Sequence, residues 1–493
     1  MSSFQALLAA RAHEEGKAQP TALYRHRAIA KDPLCIVAWQ LGAEPYSPGA
    51  IAIGRQSTGF HLYVPGYPLD RDLLFAALLD FAKEFCPALE SYANGPCEYV
   101  SHFGEQLSVP VAMPQIIVAN SETIRLLGRL GRRLAYLPTE GPYPADPLLL
   151  RLGRHLMWLA NHAHLPGQQL ILSAADLLVS HYATAMSTFE SHSLAALDAW
   201  IEPAPDTHGF NAAEVAEDHA VGPLPMPKDG EQVFKLMQAF NKARAGSKNS
   251  QTIQKLSAPL RAVYQDMTEE TWDLIWKVID RERGRQEAAS VPRRADVDRF
   301  EYAVHLSWMM GPAEGRRKAR MTARNAAVRL NELERTEALV LAEEAVDDPL
   351  RMAPHLLSGK ALAGLVINSN PSRRELINGK KCLRPGVTVH TDVPCLMQVG
   401  TEVWWTRAPS AKQWRIIAVS ASGSGSDVTL VLQTNRSQKE GLPQVGARAC
   451  FSLFNTRPGY ELYLPKQVPW THKVAEPAAT TDLDYNDVTG QAA

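Results

Sequence analysis

The chain has 493 residues, 45% hydrophobic and 21% charged, with 51 basic and 52 acidic side chains. This composition excludes a fibrous or wholly disordered protein, and the length exceeds what one core fills, so about three domains are expected. The net charge of −1 hides an asymmetry: residues 1–230 hold 15 basic against 23 acidic side chains, residues 231–390 hold 27 against 20, and the remainder 9 of each. Such a split fits an anionic partner for the basic segment, an interface between segments, or a solvated surface.

The first residues lack a basic segment leading into an apolar run, so no secretory signal is expected. The longest apolar runs, 73–79 and 156–160, are far shorter than a membrane span, and no membrane partner is expected. The six cysteines, Cys35, Cys86, Cys97, Cys382, Cys395 and Cys450, form no C-x-x-C pair. That sparse pattern reads as reduced thiols in the cytoplasm.

In chain order, 1–17 reads as a short helix. Strand-like runs follow at 35–41, 50–54 and 60–64, then an amphipathic helix over 69–85 with Asp70 placed to cap it. A buried strand is expected at 114–120 and a helix from Ser121 to about 137. Residues 145–200 read as helical, broken at Pro166-Gly167. An echo links LLGRLGRRL (126–134) to LLLRLGRHL (148–156), at an offset of 22 residues. Residues 201–231, rich in proline and acids, read as a linker. Residues 232–350 read as helical, and 232–384 as a basic domain. Short strands at VTVH, PCLMQV, EVWWT, WRIIAVSA, DVTLVLQT, ACFSLF and ELYL predict a small barrel over 385–466, with a disordered tail over 467–493. The fold class expected is multidomain α+β: a mixed α/β front (1–200), a helical middle and a C-terminal all-β barrel.

No P-loop, G-x-G-x-x-G or G-x-S-x-G motif occurs in its required context, so no cofactor is expected. His155, His162, His164, His181 and His192 crowd one helical region with Asp176 and Glu190. They suggest a metal-dependent hydrolase, although H-E-x-x-H and Glu-x-x-His spacings are absent from the cluster.

Residues 312–348 read as one helix with reversed charge. Arg316, Arg317, Lys318, Arg320, Arg324 and Arg329 fill its first half, and Glu343, Glu344, Asp347 and Asp348 end it. The helix dipole prefers the opposite order. Arg316, Arg320 and Arg324 would share a face and suit a phosphate backbone, or meet acids from the front of the chain. Arg125, Arg129, Arg132 and Arg133 make a second stripe, equally suited to phosphate, to carboxylate or to solvent. In the barrel, Trp404, Trp405 and Trp414 lie near Arg407, Lys412 and Arg415. One of the adjacent tryptophans should face outward as a base-stacking surface, with Trp405 the candidate.

The function expected is sequence-tolerant engagement of DNA or RNA by an accessory protein, through the basic helix and the barrel. Alternatives are a scaffold for other protein subunits and the histidine-based hydrolase.

Overall fold

The structure, a computed structural model, describes residues 3–41, 47–187, 190–219, 221–246, 250–311, 321–408, 412–434 and 442–456. In chain order the front holds α1 (Ser3–Glu15), β1 (Gln19–Pro20), β2 (Leu34–Gln40), β3 (Pro48–Arg55), β4 (Gly59–Tyr63), α2 (Arg71–Glu90), β5 (Cys97–His102), β6 (Glu105–Pro110), β7 (Ile116–Val118), α3 (Ser121–Leu134), α4 (Pro147–His162), β8 (Ile171–Ser173), α5 (Ala174–His181), β9 (Tyr182–Ala183), α6 (Leu194–Ile201) and α7 (Gly209–Ala216). The helices α8 (Pro227–Gly246), α9 (Ser250–Arg283), α10 (Val291–Met310), α11 (Ala323–Asp347) and α12 (Pro349–Leu357) follow.

The central sheet runs β4-β3-β2-β7-β8. Strands β2, β7 and β8 are parallel, whereas β3 and β4 are joined antiparallel on one side. The run LCIVAWQ is almost wholly buried because β2 feeds two cores. Leu34, Ile36 and Ala38 pack with α2, α3, α4 and α10 on one face. Cys35, Val37 and Trp39 pack with α5, α6, α8 and α9 on the other. A continuous apolar strand is the signature of a sheet covered on both sides. Asp70 caps α2 through Asp72 N and Leu73 N, as its position predicts.

Two expected boundaries change. The segment read as a linker is packed: it contains α7, whose Ala213 is buried with Ala12, Ala196 and Trp200. Gln40 N donates to Pro223 O at 2.6 Å, and Asn120 Nδ2 donates to Gly222 O at 2.7 Å. The helical middle shares its core with the front, since Phe240, Leu260, Tyr264 and Ile275 close the second face of the sheet. The physical reason is area: the helices of the front leave part of each face to be buried by later elements, α10 on the first and α8 and α9 on the second.

The expected helix over 312–348 also changes. Residues 312–320, and with them Arg316, Arg317, Lys318 and Arg320, lie outside the described residues. Helix α11 begins at Ala323 behind an extended N-cap, Thr322, whose hydroxyl accepts from Asn325 N. Arg324 therefore sits half-buried on the first turn of α11. The acids at the far end are explained by burial against bases. Glu344 meets Arg27 at 2.8 Å and Arg294 at 3.4 Å, and Glu343 meets Arg293 at 2.5 Å. Asp347 accepts from Ser290 N at 2.8 Å and Ser290 Oγ at 2.6 Å. Asp348 accepts from Leu23 N, Tyr24 N and His26 Nε2, and caps α12 at Leu350 N. Among the described residues, bases of the front and of α10 thus neutralise the acids of α11.

The barrel comprises β10 (Ala361–Asn370), β13 (Gly386–Thr391), β14 (Glu402–Trp405), β15 (Gln413–Ser422), β16 (Gly425–Leu432) and β17 (Arg448–Ser452). Between β10 and β13 lies a separate hairpin, β11 (Arg374–Ile377) with β12 (Lys380–Leu383). The closed order is β10-β13-β16-β15-β14-β17. It starts earlier than residue 385 because closure needs β10, which pairs with both β13 and β17. PCLMQV is irregular rather than a strand, with Met397 buried in the barrel core. ELYL and the tail over 467–493 lie outside the described residues. Among the described residues, no helix is long and apolar enough to cross a membrane.

Acid should loosen this architecture in two stages. Burial lowers His181 from its ordinary value, so the unfolded chain takes up that proton first and stability falls as pH drops below the usual histidine range. Burial alone would raise the Asp348 carboxyl, but donors from His26 and three backbone N–H groups overcome it and hold it at about 2. Its contribution is therefore complete above the ordinary value of 3.8 and is lost as pH falls toward 2. Thermal melts across pH should show a shallow loss below neutrality and a steep one in strong acid. Asp348→Ala should cost about 3–5 kcal/mol at neutral pH, since it leaves the buried His26 and three backbone N–H groups without their acceptor.

Candidate functional site: an arginine-lined cleft

Helices α3 and α4 touch backbone to backbone at the echoed glycines. A Cβ on Gly131 would lie 2.6 Å from Met157 N and 2.9 Å from Gly153 O, and one on Gly128 would lie 2.6 Å from the Ala160 Cβ. Gly131 and Gly153 occupy the same place in the two copies of the echo. The resemblance therefore marks one close helix crossing with a small residue contributed by each partner, rather than a repeat architecture.

Beyond that crossing the pair opens into a cleft of about 340 Å³. Arg125, Arg129 and Arg132 line the α3 wall, Met157 and Asn161 the α4 wall, and His164 and Asp176 complete it. Its place in the topology has a cause. The connection leaving β7 enters α3, which packs on the first face, while that leaving β8 enters α5, which packs on the second. Adjacent parallel strands whose connections part to opposite faces leave a crevice at their carboxyl ends, where open α/β sheets take ligands. Asn120 and Ser173 cap the two helices at this edge. Ser121 and Asp176, in their first turns, line the cleft, so the positive ends of both dipoles border it.

The lining is rich in donors: three guanidinium groups, an imidazole and an amide against one carboxylate. All three arginines are exposed, and Arg125 shares an ion pair with the half-buried Glu122. Such a pair is weak and easily exchanged for a ligand. Burial raises the Asp176 carboxyl, while the Ser173 hydrogen bond and the charges of His192 and Arg125 pull it back. Arg133, the fourth member of the sequence stripe, is exposed but does not line the cleft.

The five histidines do not converge. His155 bonds Glu90 at 2.8 Å, His162 bonds Asp298 at 2.9 Å, and His181 bonds Glu282 at 2.7 Å, each reaching a different helix. His164 lines the cleft and His192 acts on Asp176 by charge. Among the described residues, only His155 of the five belongs to a group of three or more potential metal ligands. In the barrel, Trp405 and Trp414 are interior, so Trp405 offers no stacking face; the half-buried Trp404 is the outward one. Arg407 and Arg415 are exposed, and Arg415 pairs with Glu402 at 3.0 Å.

The basic hairpin β11–β12 escaped the sequence reading. Arg374, Lys380 and Lys381 are exposed on it, around an Asn378-Gly379 turn with both residues at positive φ. That dipeptide between two short runs is the available signal. No family model matches the chain, and no curated protein or solved structure matches it.

Asp176 sets a sign for the cleft. Acidification through its raised range removes the one negative charge of the lining, so wild-type affinity for inorganic pyrophosphate should rise as pH falls. Asp176→Asn should bind pyrophosphate roughly five-fold tighter at neutral pH, worth about 1 kcal/mol, with a flatter pH dependence in calorimetric titration.

Proposed function

We propose that the protein binds nucleotide phosphates in a sequence-tolerant way and serves as an accessory protein on nucleic acid. The observation that carries this reading is the line of Arg125, Arg129 and Arg132 on one wall of the cleft beside β7 and β8. Guanidinium forks match phosphate oxygens, and two helix N-termini add fixed partial positive charge. The barrel supports it with eleven basic against five acidic residues over 361–456, five of the bases being Arg373, Arg374, Lys380, Lys381 and Arg384 in and beside the hairpin. A two-stranded ribbon with exposed cations can follow a nucleic-acid groove. One observation favours a narrower ligand: the cleft is of small-molecule size, so a single nucleotide would fill it.

Fluorescence anisotropy with single-stranded DNA, duplex DNA and RNA, competed by a free nucleoside triphosphate, separates the polymer from the monomer. Changing Arg125, Arg129 and Arg132 together to Gln should weaken polymer binding alike for all sequences. It should flatten the log affinity against log salt plot by roughly two to three units. The melting temperature should stay in place, because Gln is nearly as good a helix former. A triphosphate that competes at micromolar concentration while oligonucleotides do not would select the single-nucleotide form. No binding of either at low salt would end the reading and leave these arginines as a contact for another protein subunit.

A further inference from the structure

Away from the cleft, Cys86 and Glu90 stand one turn apart on α2 and face His155 on α4. The thiol sulfur, a carboxylate oxygen and a ring nitrogen lie within 4.8 Å of one another. Cys86 and His155 are buried, and Glu90 is partly open to solvent. His155 Nε2 lies 2.8 Å from Glu90 Oε1, and its Nδ1 lies 3.0 Å from His305 Nε2 on α10. The His305 ring is stacked on Trp158 with centroids 4.0 Å apart, so it holds the His155 ring in a fixed plane. One cation competes here: Arg151 Nε donates to the same Glu90 oxygen at 2.5 Å, from a side chain 36% exposed.

We propose that Cys86, Glu90 and His155 form a binding site for a divalent cation of the zinc class. A thiolate, an imidazole and a carboxylate are the donor set that zinc accepts, and a thiolate selects against magnesium and calcium. Tetrahedral zinc, with bonds of about 2.0–2.3 Å, needs donor separations near 3.5 Å. The present spread closes to that by side-chain rotation on two helices already in contact. His305 is the outer partner that a metal-bound histidine requires: with the ion on Nε2, His155 Nδ1–H donates to His305 Nε2. Cys86 gives up its thiol proton to solvent as the sulfur–metal bond forms, and the two imidazoles exchange tautomers with no further proton lost. Arg151 leaves Glu90 for solvent, and the open fourth position takes water. This site is independent of the phosphate reading of the cleft.

The full-length chain, stripped with chelator, is titrated with cobalt(II) and then with zinc against a chromogenic chelator. One equivalent of cobalt should give a near-ultraviolet thiolate-to-metal band and a tetrahedral visible spectrum, both erased by zinc. Cys86→Ser should lose the near-ultraviolet band, and Glu90→Gln should weaken zinc at least ten-fold. Arg151→Gln, which removes the competing cation, should bind zinc several-fold tighter than wild type. A band that persists in Cys86→Ser assigns the metal to another cysteine and overturns the proposal. So does the absence of stoichiometric uptake by both wild type and Arg151→Gln. If Cys86→Ser does not fold by circular dichroism, the other two variants decide: unchanged zinc affinity in Glu90→Gln and in Arg151→Gln overturns it.

Discussion

Strand β2 carries the side chains of two cores at once, with Leu34, Ile36 and Ala38 on one side and Cys35, Val37 and Trp39 on the other. A sheet loaded this way leaves no face for water, so helices must cover both. Helices α2, α3 and α4, close to β2 in sequence, supply the first cover together with α10. The second is assembled from α5 and α6 and then from α8 and α9, far along the chain. The proline-rich segment between α6 and α8 is drawn in by the same demand, and its carbonyls at Gly222 and Pro223 satisfy Asn120 and Gln40. The cleft is a further result. Because α3 goes to one face and α5 to the other, the ends of β7 and β8 cannot be closed over by either.

A second constraint ties the later helices to the front of the chain. The end of α11 places Glu343, Glu344, Asp347 and Asp348 where its dipole disfavours them. Their partners outweigh that cost. Asp348 is fully buried with three donors from residues 23–26 and a fourth from α12, and Glu344 faces Arg27, Arg294 and Arg351. The other buried histidine pairs repeat the device, joining α4 to α10 through His162–Asp298 and α5 to α9 through His181–Glu282. Each of these carboxylates, costly to bury alone, is paired with a group remote in sequence.

Local signals served where they act over one or two turns. The Asp70 cap, the Ser121 start of α3, the arginine spacing on α3 and most barrel strands were readable because capping, helical period and strand alternation depend on neighbours in sequence. The echo at Gly131 and Gly153 was readable as a pattern, but its meaning as a helix crossing was not. The β11–β12 hairpin has a local signal in its Asn378-Gly379 turn, but it interrupts a barrel whose first strand, β10, follows a helical stretch, which masks that signal.

The α+β class, the small barrel and the face on which Arg125, Arg129 and Arg132 align are legible in the amino-acid order, since each follows from the period of apolar residues along a short segment. Which arginines line a cavity, which tryptophan turns inward and which carboxylate each histidine meets are settled only by long-range packing. Those outcomes depend on contacts between residues a hundred or more positions apart, such as His162 with Asp298 and His155 with His305. No local periodicity encodes them; they are set when two faces of one sheet have to be buried by the whole length of the chain.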